Sequence, residues 1–324
     1  MTGQTGKSDV TRRSLLRAGG IAGGLVAGAP LLGGVSGAAS GTVGIPGGGA
    51  PAGTLPVAEI EGIIRAQGSV SDGVLNIEID RDDLPDVKKY GVPVKPGFEI
   101  NGNLCFQAAP GGVMMNGDLS LKPAELNPAI DAMIRHGLTW QALHQHLFGL
   151  SPMVWFMHMR MHGPAKAVAE ACAAVLAATS TPLPQAPPKK PATPLNAGRL
   201  EKTIGSPATV GSDGVVGFQV PRRDRITLGG MRVSPYLNVY TPVDFQPLGG
   251  DTAVVVPDFG QRADEITNCA RVMRAQGWEI NCLYNQETDE SPQLFFSHDW
   301  KVGNAYALAA EVRRGLEQTD VVLS

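Results

Sequence analysis

No two cysteines in this chain stand at C-x-x-C spacing; the four present are Cys105, Cys172, Cys269 and Cys282. That excludes a zinc knuckle and a thioredoxin-like motif. In an oxidising compartment the four allow one or two disulfides. Each lies in an apolar or amphipathic segment, so four buried thiols are the other reading. Basic clusters are lacking too, and the net charge is only -3 over 324 residues. Nucleic acid and anionic membrane surfaces therefore drop out as partners. There is no G-x-S-x-G elbow, no phosphate loop ending in Lys-Ser/Thr and no H-E-x-x-H, which removes the common hydrolase, nucleotide and zinc-protease signatures. The run Gly47-Gly48-Gly49 does not lie between a strand and a helix and carries no nucleotide-binding weight. Asp80, Asp82 and Asp83 with Arg81 form a polar turn with too few oxygens for a calcium loop.

What is present begins at the N-terminus. Thr11-Arg12-Arg13-Ser14-Leu15-Leu16-Arg17 has the pattern of a twin-arginine export signal, followed by an uncharged run from Ala18 to about Ala38. The run is long enough for an anchor to compete, but its glycine content and modest hydrophobicity favour a cleaved signal. Residues 1–38 are read as the signal and 39–56 as a flexible Gly/Pro-rich segment. No cysteine precedes Cys105, which excludes a lipid-modified N-terminal cysteine. The expectation is a periplasmic or secreted protein with no stable membrane insertion after signal removal. Twin-arginine export carries folded proteins, many already loaded with a metal or cofactor.

The stretch from Thr181 to Pro194 is too rich in proline to be helix or interior strand, and marks a linker over 180–196. On either side the chain repeats itself. Shifted by 140 positions, Leu143 meets Leu283, Ser151-Pro152 meets Ser291-Pro292, Phe156 meets Phe296, His158 meets His298 and Gly163 meets Gly303. The same shift pairs Asp118 with Asp258, Glu125 with Glu265 and Gly137 with Gly277. With one residue of slippage, Gly73–Asp80 meets Gly214–Pro221. A period this long is a tandem domain rather than a solenoid. The domains are set at 57–179 and 197–320.

Within the first copy, Leu75 to Ile79 alternates apolar and polar residues and reads as a strand. Phe98–Gln107 and Val113–Leu121 are further strands. Leu126, Ile130, Met133 and Ile134 form a helical stripe over Ala124–His136 that stops at Gly137. Leu138–Phe148 and Met153–Met161 read as a hairpin around Gly149 and Pro152, and Pro164–Ala178 as an Ala-rich helix. The fold class is α+β: two similar domains, each an antiparallel sheet with helices packed on one face.

Three of the six histidines, His144, His146 and His158, fall in that hairpin. On a strand, residues two apart share a face, so His144 and His146 project together. On the returning strand Trp155, Met157, Met159 and Met161 form an apolar side, and Phe156, His158, Arg160 and His162 the other. A pairing sum of 302 sets His158 opposite His144, and a sum of 300 sets it diagonal. An odd sum puts it on the wrong face. Three imidazoles on one face suit a divalent transition metal: zinc, copper or iron. Glu125 is the candidate fourth ligand or general base, with Asp118 as the other nearby carboxylate. In the second copy the positions of His144 and His146 hold Tyr284 and Gln286. That assigns any metal chemistry to the first domain and leaves the second as packing partner or lid; only a site between domains would draw on His298. His136 suits a helix C-terminus, and His162 reads as a surface or supporting group.

Phe106-Gln107, Gly117-Asp118, Glu125-x-Asn127-Pro128, Leu143-His144-x-His146 and Met157-His158 with Gly163 resemble the LppY/LpqO family of exported bacterial proteins. The resemblance covers about 58–178 well and 198–318 as a degenerate copy. It implies secretion and domain limits, and brings no agreed activity; the peptidase-like label some members carry finds no protease motif here. Two readings follow: a secreted metal-binding protein, with metal-dependent hydrolysis its candidate activity, and a non-catalytic module binding a small molecule or peptide without metal.

Overall fold

The computed structural model describes residues 54–84, 86–187, 190–211 and 213–324. Residues 1–38, read from sequence as an export signal, and most of the Gly/Pro-rich segment after them lie outside the described residues. Among the described residues no helix is long and apolar enough to cross a membrane.

Each copy builds one six-stranded antiparallel sheet of the same order. In the first the order is Ser69–Ser71, Val74–Asp80, Asn101–Ala109, Gly112–Leu121, Trp155–Gly163, Thr139–His144. The second repeats it with Ala208–Val210, Val216–Val220, Thr241–Gly249, Thr252–Gln261, Phe295–Asn304 and Glu279–Ile280. The strand after the hairpin thus inserts beside the centre, and Thr139–His144 is left at the edge. Helices Val57–Ile64, Leu126–His136 and Ala165–Ala177 cover one face of the first sheet, where Met133, Val168 and Cys172 meet Leu75, Ile77, Phe106, Met157 and Met159. Burying each such side chain is worth about 1.5–3 kcal/mol. Helices Ala197–Ile204, Ile266–Ala275 and Ala305–Leu316 cover the second sheet in the same way. The α+β class, with two similar domains and helices on one face of each sheet, is what the structure has.

The uncovered faces of the two sheets meet each other. One apolar cluster joins Phe98, Val154 and Phe156 of the first copy to Val254, Val256 and Trp300 of the second. Another joins Cys105 and Met114 to Leu237, Leu294 and Phe296. The layers run helix, sheet, sheet, helix, and both inner clusters draw on both copies. Glycine is required at two points of this frame. Gly137 ends its helix in the left-handed region at φ 73°, and a Cβ on Gly117 would stand 2.0 Å from the Asn103 carbonyl oxygen.

The expected hairpin is shorter than its sequence pattern. Pairing stops at His144, opposite Phe156. The chain then leaves the sheet, and Leu150–Ser151 pairs with Lys88–Lys89 in a small separate sheet. Phe98 lies in a short helix, Pro96–Glu99, ahead of its strand. The first helix, Val57–Ile64, was not anticipated, although Ile60 and Ile64 recur at helical spacing. All four cysteines are free thiols.

Candidate metal centre

The register that decides the histidines' facing is a sum of 300. His144 lies opposite Phe156 and Ala142 opposite His158. His158 is therefore diagonal to His144 on the same face, and the Nε2 atoms of the two rings stand 2.9 Å apart. On its other side His158 is paired with Asp118, and Asp118 with Asn103. One row across the sheet thus carries Asn103, Asp118 and His158 toward the opposing sheet, while Met157 and Met159 face the helices.

His146 arrives by another route than strand alternation. It lies in the connection after the strand, which turns back over the same face. Its ring stacks on Phe156 at 3.3 Å between centroids, and its Nδ1 stands 3.1 Å from Oε2 of Glu99. Glu99 comes from the short helix Pro96–Glu99 and is buried.

The second copy supplies the opposite wall. His298, paired with Asp258 as His158 is with Asp118, stacks on His146 at 3.9 Å. Tyr284 occupies the place of His144 and stacks directly on it at 3.5 Å. The two halves thus meet His against Tyr at equivalent positions. Nδ1 of His298 lies 3.2 Å from Sγ of Cys282 and 3.5 Å from Oδ1 of Asp258. A cavity of about 130 Å³ opens among these groups, lined by both copies: Glu99, Asp118, His146 and His158 with Asp258 and His298. Its further wall carries Asn76, Asn101, Asn103, Gln219, Tyr240 and Asp244.

Two assignments made from sequence are corrected here. The site is not confined to the first domain, because His298 and Asp258 share its cavity. Glu125 is not among the groups that gather at the histidines. It accepts from Nη1 and Nη2 of Arg81, from the Lys122 backbone and from Ser180. Arg81 is 1% exposed, and a buried guanidinium requires such partners. Glu265 holds Arg222 in the same way in the second copy. The recurrence of Glu125 as Glu265 therefore reflects a repeated structural ion pair. Of the other histidines, His162 is exposed, its Nε2 2.8 Å from the Pro110 carbonyl oxygen, and His136 is exposed at its helix end.

Electrostatics separate the groups further. Burial pushes His144 down to about 3 and holds His146, His158 and His298 well below the ordinary histidine range. Each is a neutral imidazole at neutral pH, the state a metal ligand must have. Burial also pushes Asp118 up to about 7, and burial with neighbouring carboxylates raises Glu99, Asp244 and Asp258 well above the usual range. The residues named above as lining the cavity include four carboxylates and no lysine or arginine. Among the described residues, Nδ1 of His144 and Nδ1 of His158 are buried with no hydrogen-bond partner. Unpaired buried polar atoms are costly, and a bound cation would offset the acid cluster. Within 4.8 Å of one another lie donor atoms of His144, His146 and His158, and separately of Glu99, His146 and His298. These donors could hold a metal ion.

Fold and site together define a duplicated sheet-and-helix protein with a histidine–carboxylate centre between its halves. The chain belongs to the family described as Domain of Unknown Function (DUF1259), whose model matches residues 58–178 and again 198–318. No curated protein and no solved structure matches the chain.

Sequence reasoning missed Glu99, and left His298 to a case it did not adopt. His298 had a usable signal, since it recurs at the 140-residue shift. Glu99 had none: it stands outside any repeated pattern, and Asn238 occupies the corresponding place in the second copy.

Proposed function

We propose that the protein is an exported metal-binding protein whose transition metal is held by His144, His146 and His158 and which acts on a small molecule, hydrolysis being the reaction class. The observation that carries the metal reading is the convergence of three imidazoles, His158 buried and His144 and His146 half-buried, with two Nε2 atoms 2.9 Å apart. Two donors each about 2.1 Å from one ion stand roughly 3.0–3.4 Å apart, so the spacing is close to that of a liganded pair. The chemistry such an ion supplies is Lewis-acid polarisation of a bound oxygen and a lowered pKa of bound water. Asp118, in register with His158 and lining the cavity, replaces Glu125 as the carboxylate placed to handle a proton. The cavity is smaller than the usual 300–1,000 Å³ ligand pocket, which favours a ligand of few atoms over a peptide. Export rests on the Arg12-Arg13 pattern, and the LppY/LpqO resemblance on the motifs above supports it.

The test is metal content after export from replete medium, measured by elemental analysis. Wild type should carry a transition metal, and His144→Ala/His146→Ala should lose it while keeping its circular dichroism. Less than about a tenth of an equivalent in both would leave the non-catalytic, metal-free reading in place.

A further inference from the structure

The five donors around the cavity do not form one group. They gather as His144, His146 and His158, and as Glu99, His146 and His298, with His146 common to both. Donors on a single ion at about 2.0–2.2 Å cannot be more than roughly 4.4 Å apart. Five donor residues that gather as two sets, each within 4.8 Å, fit one ion poorly and two ions well.

The orientation of His146 points the same way. Its Nδ1 stands 3.1 Å from Oε2 of Glu99, close to the separation of two donors at right angles on one ion. Its other nitrogen is left for the His144–His158 pair, whose Nε2 atoms are 2.9 Å apart. On the opposite wall, Nδ1 of His298 has Cys282 and Asp258 beside it. Outer partners of this kind fix which nitrogen of a histidine is turned to a metal, and here they leave Nε2 of His298 for ligation. Glu99 is otherwise a buried carboxylate whose hydrogen-bond partner among the described side chains is His146.

We propose that the centre is dinuclear. Resting on the metal reading above, it places a second divalent transition-metal position at Glu99, His146 and His298, built across the two copies. His146 is shared: Nε2 serves the first ion and Nδ1 the second. Occupying both displaces the ring proton of His146 to solvent, one proton per chain beyond those released by the first ion.

Zinc titration of the chelator-stripped full-length mature protein, read by native mass spectrometry, should show two Zn²⁺ per chain. His298→Ala and Glu99→Gln should each bind one, and His144→Ala should also bind one. His298→Gln, which puts in the residue found at position 286, serves if the alanine variant fails to fold. One zinc in wild type, unchanged in His298→Gln and Glu99→Gln, would overturn the second position and leave the metal reading standing. No zinc at all overturns both. Loading with Cu²⁺ tests the sharing: a bridging His146 couples the two ions and removes most of the electron paramagnetic signal. Two equivalents giving full uncoupled intensity would break the bridge.

Discussion

The two copies agree at the bottom of each domain and differ at the face where they meet. Arg81, Asp83, Lys122 and Glu125 form one ion-pair cluster, and Arg222, Asp224, Arg262 and Glu265 form its counterpart. Arg81 donates to the Ser120 carbonyl, and Arg222 to the carbonyl of Gly260 at the matching strand position. Strand order and register repeat as well. Between the sheets, Asp118/His158 and Asp258/His298 are retained, whereas His144, His146 and Glu99 face Tyr284, Gln286 and Asn238. Duplication kept what each sheet needs to hold its own helices. The meeting face was free to diverge, because two copies needed only one centre.

The largest effect that tests this division is on stability. Glu125→Ala and Glu265→Ala each remove one of the two carboxylates that hold a buried guanidinium, leaving Asp83 or Asp224 on it. Each should cost about 1.5–3 kcal/mol in denaturant unfolding with metal stoichiometry unchanged in the folded fraction. A Glu125→Ala variant that keeps its stability and loses its metal would break the comparison.

Next comes Asp258→Asn, which alters a neighbour of His298 without touching the frame. Outer-shell partners are worth about 10–100-fold in metal affinity. Affinity at the proposed second position should fall by that order, and the first should hold. Equal weakening of both ions would mean that the two positions are not separate.

The ion-pair clusters also set an acid response. Hydrogen bonds from Ser180 and Lys122 and from Arg81 hold Glu125 low, Arg81 with Lys122 holds Asp83 low, and Arg222 with Arg262 holds Asp224 low, each against its burial. A carboxylate with a depressed folded pKa contributes stability that is fully present above its unfolded value, about 4. That stability is lost as pH falls through the folded values. The denaturation midpoint should therefore drop below about pH 4, and less steeply in Asp83→Asn/Asp224→Asn. An identical slope in that variant would remove the clusters from the acid response.

The smallest effect concerns the thiols. No cysteine recurs at the matching place in the other copy: Cys105 corresponds to Asp244 by strand register, and at the 140-residue shift Cys172 corresponds to Val312, Cys269 to Ala129 and Cys282 to Ala142. Thiol titration of the unreduced, denatured protein should return all four. Native protein should react slowly at the half-buried Cys282 first, since thiolate access limits the reaction. Two missing thiols would mean a disulfide the fold does not contain.

Much of the frame was legible because it depends on local periodicity. Met157 and Met159 against Phe156 and His158 and the stripe ending at Gly137 follow from one or two turns of chain, and the 140-residue shift from matching the two halves residue by residue. The limit of the hairpin was not legible. Leu138–Phe148 carries strand-like residues throughout, but Leu150–Ser151 is drawn away to pair with Lys88–Lys89, sixty residues earlier. His146 reached the cavity from that connection and not from the strand alternation that first pointed to it.

Sequence alone determined the duplication, the antiparallel sheets with helices on one face, and which side of its own strand each histidine takes; the register that sets His158 on the face of His144 came from the structure. Side-chain direction along a strand is a local property with a period of two. The tertiary structure decided that the two polar faces meet. That packing brings Glu99 and His298 to His146 and leaves Glu125 on Arg81. No short-range pattern encodes which face of one sheet will cover another, because the answer depends on the buried area of both domains at once.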